Sequence, residues 1–205
     1  MSAGHGRTVL AAIAAVLIGG SLARSQSAHD DDRFVRGLVA AAMAQTGRPV
    51  TYDGSYRRIG YPNGDVPAHI GVCTDVVIRA YRAVGIDLQQ RVHEDMKAAF
   101  AAYPKTWGLT RPDSNIDHRR VPNLQTYFHR RGAEVPVSRR GADYRAGDLV
   151  TWVLPGNLPH IGIVTDRRSG DGERPLIAHN IGRGPEVEDM LFAFPITGHY
   201  RYRGR

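Results

Sequence analysis

Apolar side chains repeat at helical spacing through the first two thirds of the chain and gather into short β-branched runs in the last third. Phe34, Val35, Leu38, Val39, Ala42 and Met43 share one face of a helix predicted over 30–45. Asp30, Asp31 and Asp32 suit its positive end, and Gly47 stops it. Val76, Val77, Ala80, Tyr81 and Val84 predict a second helix from Cys73 or Thr74 to Gly85. Val92, Met96, Ala99 and Phe100 predict a third over 91–102, and Pro122, Leu124, Tyr127 and Phe128 a fourth ending near 131. Gly54, Gly60, Pro62, Gly64, Pro67 and Gly71 make 52–71 a long loop. Loops of that length in compact domains are often functional. Strands are predicted over 148–154, 160–166, 175–180, 192–196 and 198–202, with Gly and Pro clustered between them. Helices first and strands afterwards make an α+β fold, its N-terminal helices packed on a mostly antiparallel C-terminal sheet.

The chain start does not fit that pattern. A weakly basic opening leads into an unbroken apolar run over 9–18, then into Gly19, Gly20, Ser21, Ala23, Ser25 and Ser27. This is the order of a secretory signal peptide, expected over 1–27. The run is shorter than the ~20 residues of a membrane span, so a retained N-terminal anchor is the competing reading. Residues 28–205 then form a single domain, expected to be exported, periplasmic or extracellular, and monomeric, with no transmembrane segment after processing. The net charge is +7, and all but two of the 27 basic side chains are Arg. Arg7 and Arg24 leave with the signal segment. The remaining Arg pairs are scattered, interleaved with Asp and unaccompanied by any nucleic-acid motif, so no specific nucleic-acid partner is expected.

One cysteine, Cys73, excludes internal disulfides and multi-cysteine metal centres. An exported protein has little reason to keep an unpaired thiol unless it is an inert core residue or a chemical one. Cys73 stands where a Gly-rich loop enters a helix. Free N–H groups there favour thiolate and can stabilise an oxyanion. A thiol nucleophile needs a base, and His160 opens a strand while His179 ends the next. On one face of neighbouring strands, His179 would orient His160; a one-residue shift would put Asn180 there instead. The polar clusters 93–95 and 117–120 read as solvated faces or hydrogen-bond networks. His118 is the candidate there for a substrate contact. No His-Glu-x-x-His pair occurs, and neither a metal nor a cofactor is expected.

A resemblance adds to this. Cys73-Thr-Asp-Val-Val-Ile-Arg-Ala-Tyr, Arg145-Ala-Gly-Asp-Leu-Val-Thr-Trp, Leu158-Pro-His-Ile-Gly-Ile-Val and Leu176-Ile-Ala-His resemble, in order, the nucleophile helix and three strands of NlpC-like cysteine peptidases of the papain-like class. The stretches YDGSYRRIGYPNGDVP, GVCTDVVIRAYRAVGIDL, NIDHRRVPNLQTYF and ITGHYRY also resemble a bacterial domain-of-unknown-function family, number 1287. The resemblance implies a papain-like fold, with Cys73 as nucleophile, His160 as base and His179 or Asn180 as third residue. It also implies a loop tyrosine near the oxyanion site. Tyr52, Tyr56 and Tyr61 are candidates, and Tyr61 is taken as a substrate contact. Val72 and Thr74-Asp75 depart from the Asp-Cys-Ser-Gly pattern, which makes Asp75 a further candidate substrate contact. The implied activity is a cysteine-dependent amidase or peptidase acting on peptidoglycan stem peptides or another envelope peptide, with acyl transfer as a variant. The alternative is a non-catalytic envelope-binding domain.

Overall fold

The computed structural model describes Gln26 and residues 28–204, so the signal segment expected over 1–27 lies, but for Gln26, outside the described residues. Among the described residues there are four α-helices and one five-stranded sheet, an α+β architecture. Helix α1 covers 28–43. It is followed by strand β1 (Thr51–Tyr52), an irregular stretch, strand β2 (Ile70–Gly71), and helices α2 (Cys73–Ala83), α3 (Leu88–Ala99) and α4 (Val121–Arg130). Strands β3 (Leu149–Leu154), β4 (Leu158–Arg168), β5 (Pro175–His179), β6 (Glu186–Glu188) and β7 (Ile196–Tyr200) complete the chain. The sheet runs β6-β5-β4-β3-β7 with every neighbour antiparallel, while β1 and β2 pair in parallel apart from it. None of the described helices is long and apolar enough to cross a membrane.

Several expectations about elements change. Residues 192–196 are not a strand: Ala193 N–H donates to Met190 O in a turn, and β7 begins only at Ile196. The short edge strand β6 was not foreseen, because Glu186 and Glu188 flank a single apolar residue and leave no alternating run to read. Helix α3 starts at Leu88, ahead of the predicted 91, because the Asp87 side chain caps it by accepting Gln89 N–H at 2.9 Å.

The two sheet faces bury different side chains, as the strand period of two requires. Leu149, Ile161, Ile163 and Ala178 pack with Val77, Tyr81, Val92, Leu124 and Phe128 from the helices. Val150, Trp152, Val164 and Ile177 pack on the other face with Tyr144, Met190 and Leu191. His160 stands on this second face, its ring 5.9 Å from that of Trp152. In the register of β4 and β5, His179 falls opposite Gly162. A Cβ on Gly162 would come within 2.5 Å of Ile177 Cγ2 and 3.1 Å of His179 Cβ. Glycine there lets β5 approach closely, and that brings His179 up to His160.

Candidate functional site

Helix α2 opens at Cys73, with extended backbone at Val72 and the Val72 N–H held by the Asp75 carboxylate at 2.7 Å. The helix start lies beside β4. Because β5 ends at His179, the edge of β4 is open next to His160 and Ile161. There the Ile161 N–H is directed at the Cys73 sulfur, joined by the Thr74 N–H and the Tyr52 hydroxyl. The Tyr52 hydroxyl also meets the Cys73 backbone N–H. Cys73 is only 4% exposed, whereas Tyr52, which covers it, is 44% exposed.

His160 Nε2 lies 3.0 Å from His179 Nδ1, and His179 Nε2 lies 3.0 Å from Glu188 Oε2. The two rings stand nearly perpendicular, with centroids 5.1 Å apart. Glu188 is also held by Arg183 at 2.7 Å, and Arg183 pairs with Glu186 as well. With Nε2 taken, Nδ1 is the ring nitrogen of His160 left for a further partner. His160, His179 and Glu188 thus form one hydrogen-bonded row across β4, β5 and β6, and the link to Cys73 is the N–H of Ile161, the residue after His160. Neither Glu188 nor its strand carried a sequence signal.

Burial sets the resting protonation. It pushes the Cys73 thiol up to about 11, outweighing the neighbouring N–H groups and Tyr52 that pull it down. The helix-start placement alone predicted a depressed thiol; in this closed arrangement desolvation is the larger effect. Burial likewise holds both His160 and His179 below the ordinary imidazole range. Near pH 7 the resting site therefore holds a neutral thiol and two neutral rings.

The remaining candidates lie elsewhere or are already engaged. Asp75 is not an open substrate contact: it is buried, and Arg119 Nε and Nη2 grip its two oxygens at 2.8 and 2.9 Å. Tyr61 is not beside Cys73 either. Its ring packs edge-on against His93, 5.1 Å between centroids, because its loop docks on α3. Gly64 N–H and Gly60 O in that loop bond to the Gln89 side chain. The tyrosine at the sulfur is Tyr52, placed there by its β1 pairing with β2, which runs straight into Cys73. His118 is buried, its charged neighbours being Arg119, Asp87, Arg82 and Asp65, and burial takes it down to about 3. Asn180 turns away from the imidazoles: its Oδ1 accepts Gly182 and Gly184 N–H, and its Nδ2 reaches Gly71 O at 3.4 Å. Asp95 is taken by Arg130 and Glu94 by Gln90. Among the described residues no three His, Cys, Asp or Glu side chains converge as metal ligands do. Trp107 is exposed, with the Arg120 guanidinium stacked on it.

The family model described as Domain of unknown function (DUF1287) matches residues 39–202, which include all these groups. A relative from Escherichia coli (strain K12), "Uncharacterized protein YijF", is 54% identical over 165 residues, covering 80% of this chain and 80% of that protein. On both counts, the chain belongs to the DUF1287 family.

Proposed function

We propose that the protein is an exported thiol hydrolase of the papain-like, NlpC-like kind that cleaves an amide bond in peptidoglycan stem peptides. The supporting observation is the imidazole pair: His160, whose chain neighbour Ile161 directs its N–H at the helix-start cysteine, has Nε2 held by a second histidine at 3.0 Å. That is the nucleophile, base and orienter constellation, recognised by roles rather than by sequence order.

On this reading the substrate carbonyl displaces Tyr52 from the sulfur. The thiol proton passes to His160 Nδ1 as sulfur bonds to the carbonyl carbon. The oxyanion takes the N–H of Cys73, with the Tyr52 hydroxyl alongside. His160 then gives its proton to the leaving nitrogen as the C–N bond breaks, and a thioester remains. Water, deprotonated by His160, releases the acid and restores the thiol. An amine in place of water gives acyl transfer, and product masses separate the two outcomes. His179 holds the His160 ring throughout.

The buried, neutral thiol favours the second reading, a non-catalytic envelope-binding domain that keeps the fold. One experiment decides. Purified protein is incubated with muropeptides of several chemotypes and the products are weighed by mass spectrometry. Cleavage that disappears in Cys73→Ala is expected; cleavage that survives it, or no mass change with any chemotype, overturns the hydrolase reading.

A further inference from the structure

The hydrogen bonds around His179 form a directed chain that starts at Glu188. A carboxylate can only accept hydrogen bonds, so a His179 Nε2 held 3.0 Å from Glu188 Oε2 carries the proton. Neutral imidazole has one N–H, which leaves His179 Nδ1 as a lone pair. That lone pair faces His160 Nε2 at 3.0 Å, so Nε2 is the donor and carries the proton of His160. His160 Nδ1 is then bare. The opposite assignment would set two lone pairs face to face at the buried contact and leave Nδ1 protonated, unable to act as a base.

We infer that Glu188 is the positioning residue of the site: through His179 it fixes the tautomers of both rings and leaves His160 Nδ1 as the basic nitrogen. Glu188 never touches the sulfur. Its own geometry is set on β6, where Glu186 lies opposite His179 and Glu188 is the next residue on the same face. Arg183 holds Oε1 and so aims Oε2 at the ring. Glu186 and Arg183 are the other charged groups acting on His179. The inference rests on the proposed roles of Cys73 and His160, but the proton positions exist without any substrate.

The test uses the full chain labelled with ¹⁵N. Imidazole nitrogen shifts are recorded at pH 7 for the wild type, Glu188→Gln and Glu188→Ala, with His160→Gln and His179→Gln assigning the signals. Wild type is expected to show protonated Nε2 and bare Nδ1 on both rings. In Glu188→Gln the amide can donate to His179 Nε2, so the His160 signals move toward a mixed or inverted pattern. Glu188→Ala releases the constraint in the same direction, and both variants are expected to melt as the wild type does. Iodoacetamide capture of Cys73, which needs the thiol proton removed, is expected to slow about tenfold or more as the population with bare Nδ1 falls. A wild type with protonated Nδ1 on His160, or shifts unchanged in both Glu188 variants, overturns the inference. If the shifts respond to Glu188 while no muropeptide is cleaved, the tautomer relay stands and the hydrolase reading alone fails.

Discussion

The Asp75 carboxylate accepts three hydrogen bonds, one from Val72 N–H and two from Arg119. The same guanidinium donates to Asp53 O at 3.2 Å and Ser55 O at 3.4 Å, one and three residues past Tyr52. A single buried ion pair therefore ties the start of α2 to the loop that lays Tyr52 over the sulfur. Removing one partner strands a buried charge, at a cost of about 3–5 kcal/mol, whereas removing both costs far less. Arg119→Met is thus expected to be severely destabilised, and Asp75→Leu/Arg119→Met to recover much of the loss in urea titrations. Equal losses in the single and double variants would show that the pair does not act as a unit. This role was not legible in the sequence. Asp75 became a candidate substrate contact because Thr74-Asp75 departs from the Asp-Cys-Ser-Gly pattern that the resemblance implies, and its partner is 44 residues away. His179 and Asn180 were separable only by register: one faces His160 and the other caps the turn after β5. Cys73 was legible as a helix start, and His160 as a strand residue, although the strand opens two residues earlier, at Leu158.

At the scale of elements, apolar periodicity placed the bodies of the helices well and their polar ends less well. The first turn of α3, Leu88-Gln89-Gln90, contributes one apolar residue, so the pattern begins at Val92, yet this turn carries much of the docking. Gln89 is buried and bonds to Gly64 N–H, Gly60 O and Ser114 O, while Asp87 caps Gln89 N–H and takes Asn63 N–H at 2.6 Å. The helix start and the 60–64 loop are thereby one unit, and this holds Tyr61 on α3 away from the sulfur. Asp87→Ala removes both acceptors and is expected to cost about 1–2 kcal/mol. That lowers the melting temperature by roughly 2–8 °C for a domain of this size. Asp87→Ser keeps a capping oxygen but is too short for Asn63, so it is expected to fall between the two. A melting curve unmoved in Asp87→Ala would remove the cap from this account. Edge strand β6 escaped sequence reading for the complementary reason: its two glutamates carry charge, not hydrophobicity, and their place is set by pairing with β5.

Across the whole molecule, the buried titratable groups make folding sensitive to acid. His118, His160 and His179 all bind protons less readily in the folded chain than in the unfolded one, because each is desolvated. Between the ordinary imidazole value, roughly 6.5, and their lowered folded values, the unfolded state holds more protons. Stability is therefore complete above that range and is lost as pH falls through it, by about 1.4 kcal/mol per pH unit for each extra proton. Asp117 acts the other way. Burial raises it to about 6, so its contribution is present at low pH and is lost as pH rises through that value. His93 and the buried Asp148 are lowered as well, so the depressed groups outnumber Asp117 and give net acid destabilisation. On the alkaline side Cys73, raised to about 11, adds stability below the ordinary thiol range that is lost toward that value. Urea midpoints are thus expected to be level between about pH 7 and 8 and to fall on either side. His118 isolates one proton of the acid limb, since its Nδ1 is buried without a hydrogen-bond partner and no role in the proposed chemistry falls to it. Replacing it with an apolar side chain removes the proton-binding difference, so His118→Leu is expected to flatten the fall between pH 6.5 and 4 by about one proton's worth of slope. The measurement is the urea midpoint of wild type and variant at half-unit steps from pH 4 to 8. Parallel curves over that interval would place the acid sensitivity elsewhere than in this buried imidazole.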